Sequence, residues 1–199
     1  MNLTVIIPSR QSLAQAGVRI RYDRISNHLR KCGWQLRLQP INELASFDKL
    51  QPGPILFSKC QDARSLLLGR IAKEAGYPVG VDLFDDYFSQ LPDVRFQHLR
   101  NWLSRMAEIA DFYVCSTARM ADIAAQYMPD TPGLIVNDPI EGINQDWLRD
   151  ELRRKWDDAL RNRRLKVLWF GIGDNPSFPV GIEDLSAQAD QLRALEQRG

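Results

Sequence analysis

The chain has 199 residues, 44% hydrophobic and 26% charged, with 26 basic and 25 acidic side chains and a formal net charge of +1. That composition excludes a disordered chain, and it lacks the basic excess that nucleic-acid binders carry. No apolar stretch approaches the length that crosses a bilayer, and the short apolar run at 3–8 has no basic flank of the signal-peptide kind.

Taken in chain order, short apolar runs alternate with amphipathic patterns. Strands are predicted at 3–8, 34–39, 54–58, 79–84, 111–115, 133–136 and 166–170. Several are nearly continuous apolar runs, as strands covered on both faces require. A helical seam of Val18, Tyr22, Ile25, Leu29 and Cys32 follows the first strand and stops at Gly33. A second helix starts after Asp62, a good N-cap, carries Leu66, Leu67, Ile71 and Ala75, and stops at Gly76. A third carries Leu99, Trp102, Leu103, Met106 and Ile109. A fourth starts at Ser116 and carries Met120, Ile123, Ala124 and Tyr127. A long amphipathic helix with Leu148, Leu152, Trp156, Ala159 and Leu160 follows the turn-rich 137–142. A last helix is expected around 183–197.

Strand and helix repeated in this way predict an α/β fold: a Rossmann-like parallel sheet with helices on both faces. The first six strands make one such unit, residues 1–142. A linker helix fills 143–164, and 165–199 reads as the first βα unit of a second Rossmann domain, incomplete at the chain's end. The three cysteines, Cys32, Cys60 and Cys115, are odd in number and widely spaced. They read as reduced core thiols of a cytoplasmic protein. His28 and His98 lack a second ligand at helical spacing and read as structural. Trp102, Trp147 and Trp156 are expected in the core, and Trp34 and Trp169 in buried strands.

Ligands on such sheets bind outside the carboxyl ends of the strands, so chemistry is expected in the loops there. The densest cluster is Val79-Gly-Val-Asp82-Leu-Phe-Asp85-Asp86, three carboxylates at and just past a strand end. Such a group serves as a base, a hydroxyl clamp or a metal site, or simply as a capped turn. The second is Gly17-Val-Arg19-Ile-Arg21-Tyr22, after a first loop that is long for a βα turn. Arginines beside a helix start favour an anionic ligand such as a diphosphate, or make a surface helix rich in arginine. The loop has one glycine and no G-x-G-x-x-G fingerprint. Lys59, after Ser58, reaches either a phosphate or the acidic cluster. Gly171-x-Gly173 with Asn175 is a further glycine-bearing βα turn.

These pieces in this order resemble glycosyltransferase family four, retaining enzymes built of two facing Rossmann domains (the GT-B fold). The matching stretches are the Gly17–Tyr22 loop, Phe57-Ser-Lys59, the Asp82-x-x-Asp85-Asp86 strand end and Ala110-Asp111 leading to Cys115-Ser116-Thr117. Ile135-Val-Asn137-Asp-Pro-Ile140 and Lys166-Val-Leu-Trp-Phe-Gly171 complete the set. The aspartate-rich strand end resembles members that build surface polysaccharides, such as rhamnosyl and related transferases. The chain departs from the family in having Gly17 for a Gly-Gly pair, Asn137-Asp138 for Asn-Gly, and no room for the late pair of glutamates that binds the donor.

The resemblance implies a metal-independent retaining transferase with no cofactor. It moves a sugar from a nucleotide-diphosphate donor to a glycan or lipid-linked acceptor in surface polysaccharide biosynthesis. Asp85 and Asp86, with Asp82, would act on the acceptor hydroxyl or the developing positive charge. Gly17, Arg19, Arg21, Lys59, Gly171, Gly173 and Asn175 would hold substrate. No nucleic-acid partner is expected. A cytoplasmic location is, with peripheral contact at the inner membrane face left open. The 199 residues alone would be an inactive fragment. The alternatives are a non-catalytic Rossmann domain in polysaccharide assembly and a sugar-nucleotide epimerase of the same fold. A phosphoacceptor or phosphatase fold would need an aspartate where the first strand ends in Pro8-Ser9.

Overall fold

In the computed structural model, residues 1–89, 93–140, 142–162 and 182–198 are described. The chain divides into two units, Met1–Glu141 and Gly142–Gly199. The first is a six-stranded sheet, every neighbouring pair parallel, in the order β2-β1-β3-β4-β5-β6. Its strands are β1 (Asn2–Ile7), β2 (Gln35–Pro40), β3 (Ile55–Ser58), β4 (Val79–Leu83), β5 (Phe112–Cys115) and β6 (Gly133–Ile135). The six apolar runs of the sequence thus become the six strands. The seventh, at 166–170, lies outside the described residues, as do Trp169, Gly171, Gly173 and Asn175.

The sheet is a Rossmann-like α/β sandwich because its central strands are buried on both faces. Ile6, Phe57, Val81, Leu83 and Tyr113 look towards α3 (Ala63–Glu74), α4 (Gln97–Ala107) and α5 (Ala118–Tyr127), where they meet Leu68, Leu103, Met106 and Ile123. Val5, Ile7 and Leu56 look the other way, towards Val18 and Tyr22. Each such side chain taken from water contributes about 1.5–3 kcal/mol, so the central strands β1, β3 and β4 carry the core.

Helix ends follow local chemistry. Asp62 caps α3 by accepting from the Ser65 N–H at 3.0 Å. Gly76 ends it with φ +78°, and Gly33 ends the first helix with φ +80°, left-handed positions where a side chain would be strained. The N-cap of α5 is Thr117, one residue past the expected start at Ser116, because its hydroxyl accepts the Met120 N–H.

The first helix departs from a regular α-helix. It runs through α1 (Ala16–Val18), a π turn (Arg19–Asp23) and α2 (Arg24–Lys31). The wider turn buries Arg21 and Tyr22 side by side, whereas Arg19 stays exposed.

Other expectations are corrected. Cys60 and Cys115 are buried, but Cys32 is exposed at the end of α2. Trp102 is buried and donates to the Ser65 hydroxyl at 2.9 Å. Trp147 and Trp156 are exposed, and Trp34 is half-buried. In the second unit, α6 (Gln145–Asn162) carries these two tryptophans with no buried residue along its length. The last predicted helix is two, α7 (Ile182–Ala187) and α8 (Ala189–Arg198). Among the described residues no helix is long and apolar enough to cross a membrane.

Candidate functional site

The carboxyl edge of the sheet gathers the exits of β1, β3, β4, β5 and β6, and the sequence places its charged residues there. Asp82, the fourth residue of β4, lies beside Ser58 on β3 and Val114 on β5. Its side chain is 1% exposed and faces the Arg21 side chain, 5% exposed. Arg21 donates from Nε to Asp82 Oδ2 at 2.8 Å and from Nη2 to Oδ1 at 2.7 Å, a two-pronged fork. The Tyr22 hydroxyl donates to Oδ2 as well. Arg21 Nη1 donates to Asp138 Oδ1 at 2.5 Å and to the Val136 carbonyl at 3.4 Å.

Burial pushes the Asp82 carboxyl up, and the Arg21 fork and charge pull it down. Burial also works against the Arg21 charge, but hydrogen bonds and charge from Asp82 outweigh it and hold the guanidinium above its ordinary value. The geometry decides for the ionised form, because three donors converge on the two carboxylate oxygens. Burial, then the Asp82 charge, raises the Tyr22 phenol well above its usual range, so it stays a donor.

A second ion pair lies three residues further along. Lys59 Nζ meets Asp85 Oδ2 at 2.7 Å, with side chains 38% and 39% exposed. The Tyr87 hydroxyl donates to the same carboxylate oxygen at 3.3 Å. Burial, then the Asp85 charge, pushes Tyr87 up to about 12. Lys59 holds a left-handed backbone, φ +56°, which is rare outside glycine and concentrates at functional sites.

Phe84 joins the two pairs. Its ring lies 5.0 Å from Arg21 Cζ and 4.8 Å from Lys59 Nζ. Gly17 closes on the same ring: a Cβ there would come within 3.2 Å of it and 3.9 Å of Lys59 Nζ. Clefts flank this column. Pro8, Ser12, Gln15, Gly17 and Ser58 border one, and Gln61, Asp85, Tyr87 and Phe88 the other. Each encloses about 10 Å³, room for one water molecule.

The sequence thus named residues that do meet, and the structure gives them different work. Asp82 and Arg21 are engaged with each other rather than presented to solvent. Asp86 accepts from the backbone N–H groups of Phe88 and Ser89 and from the Ser89 hydroxyl, a capped turn. Burial works against its charge, but these hydrogen bonds prevail and hold it below the usual carboxylate range. Asp85 and Lys59 face solvent together. Gly17 backs their aromatic support, and Arg19 is exposed with no ion pair among the described residues. Phe84, Tyr22 and Asp138 join the site beyond the residues that the sequence nominates: Tyr22 stands in the helical seam and in the Gly17–Tyr22 stretch, and Asp138 in the departure from the Asn-Gly pair.

Among the described residues no three His, Cys, Asp or Glu side chains gather as a metal ion would need. No family model matches the chain, and no curated protein matches its sequence.

Proposed function

We propose that this chain is the acceptor-side domain of a nucleotide-sugar glycosyltransferase, with the start of its donor-side domain. The enzyme would move a sugar to a glycan or lipid-linked acceptor in surface polysaccharide biosynthesis. The resemblance to glycosyltransferase family four supplies the reaction, and one observation supports the site. Of the three clustered carboxylates, Asp85 is the part-exposed one held in an ion pair, with Lys59, at the edge where parallel sheets bind ligands. Asp85 would accept a hydrogen bond from the acceptor hydroxyl, and Lys59 would orient that carboxylate. Asp82 would position the strand end, and Asp86 would shape the turn. With Arg21 engaged, Arg19 is the loop arginine left exposed for an anionic donor.

The test is transfer by the full-length two-domain enzyme with UDP-glucose, GDP-mannose and dTDP-rhamnose as donor probes, read for the wild type and Asp85→Asn. General-base help of this kind is worth about 10²- to 10⁴-fold, so Asp85→Asn should lose at least the lower figure. Full turnover in that variant would remove the assignment. The narrowness of the two clefts favours a second reading, a non-catalytic Rossmann domain in polysaccharide assembly. Absence of binding to every nucleotide-sugar probe by the full-length protein would select it.

A further inference from the structure

We infer that Arg21 is a positioning residue that couples the seating of segment 136–139 to the Lys59–Asp85 pair. One guanidinium serves both places. Two of its nitrogens hold Asp82 at the end of β4, and the third, Nη1, holds Asp138 and the Val136 carbonyl just past β6. A planar guanidinium cannot turn one edge without turning the other. It also contacts Phe84, at 5.0 Å, and the same ring meets Lys59 at 4.8 Å. Gly17 closes tightly on that ring, so Phe84 has little freedom to shift without moving Lys59. The chain of contacts therefore runs Asp138, Arg21, Phe84, Lys59, Asp85, over a sequence span of 117 residues between Arg21 and Asp138.

Segment 136–139 is where the chain leaves the first unit. It has anchors that do not pass through Arg21: the Asn137 side chain donates to the Ser116 carbonyl at 2.8 Å, and Arg24 donates to the Pro139 carbonyl at 3.0 Å. These separate the coupling from mere attachment. A pull on this segment would be felt at the Lys59–Asp85 pair through Arg21, and release of Asn137 would not. The coupling holds whether or not the rim transfers a sugar.

The experiment uses the full chain and two readouts: amide hydrogen exchange, and the rate at which an acylating reagent labels the Lys59 amine. Asp138→Ala should raise exchange in both 136–140 and 84–89 and speed Lys59 labelling about threefold or more, the low end for coupling through a packed network. Asn137→Ala should loosen 136–140 alone. With Phe84→Leu already in place, Asp138→Ala should no longer change Lys59 labelling, whereas a through-space charge effect would survive. The inference is overturned by an Asp138→Ala effect confined to 136–140, by an equal response to Asn137→Ala, or by persistence of the effect without the Phe84 ring. Asp138 is half-exposed and Arg21 keeps Asp82, so the variant retains its fold.

Discussion

Two ion pairs stand at one sheet edge, their aspartates three residues apart, and burial gives them opposite characters. Arg21–Asp82 is sealed, with a fork geometry, a third donor from Tyr22 and side chains at most 5% exposed. Lys59–Asp85 is more than one-third exposed on both sides. A sealed pair has no water to fall back on, so losing one partner strands a charge. An exposed pair loses little when it opens, because water replaces the partner. The same chemistry thus makes a fixed strut in one place and an exchangeable contact in the other. Phe84, touching both cations, ties the second to the first.

The largest effect should come from breaking the strut. Asp82→Ala leaves Arg21 buried with only Asp138, and should cost about 3–5 kcal/mol, read from urea denaturation. That is a large share of a domain's stability, so partial unfolding at ambient temperature is the expected outcome. Arg21→Lys keeps the charge but loses the fork, and should cost about 1–3 kcal/mol by the same measurement. Equal unfolding midpoints for Arg21→Lys and wild type would erase the distinction between the two pairs.

Smaller effects sharpen the comparison. Lys59→Ala should change stability by about 1 kcal/mol or less, since exposed pairs contribute little. Its left-handed backbone suits Gly better, so Lys59→Gly should be at least as stable as Lys59→Ala in the same denaturation series.

Thiol chemistry tests burial away from the rim. A disulfide-exchange reagent at neutral pH should label Cys32 and spare Cys60 and Cys115 in the native state. Burial pushes Cys115 up to about 11 from an ordinary value of 9.0. The folded state therefore keeps a proton that the unfolded chain sheds first. Its contribution to stability is complete below about pH 9 and is lost as pH rises from there to about 11, so the urea midpoint should fall across that window.

Much of the fold was legible because its signals are local. Several of the parallel strands are nearly continuous apolar runs, Gly33 and Gly76 mark helix ends that need positive φ, and Asp62 caps the helix it precedes. The meeting of the arginine-bearing loop with the aspartate cluster followed from one rule, that βα loops share the carboxyl edge. That Lys59 could meet the acidic cluster was legible; that Arg21 closes on Asp82 was not. Arg21 and Asp82 are 61 residues apart, and a π turn, for which regular helical spacing gives no signal, brings Arg21 and Tyr22 inward together. Trp147 and Trp156 misled because an apolar helical face says what should be covered, not what covers it.

The central claim is that Asp82 holds the rim together and Asp85 works at it. Asp82→Asn and Asp85→Asn, each read for unfolding midpoint in this chain and for nucleotide-sugar-dependent transfer in the full-length two-domain enzyme, test it most directly. The expected result is a crossing: Asp82→Asn loses stability by several kcal/mol, whereas Asp85→Asn keeps its midpoint within about 1 kcal/mol and loses transfer about 10²-fold or more. An Asp85→Asn protein with wild-type transfer, or an Asp82→Asn protein as stable as the wild type, would contradict it.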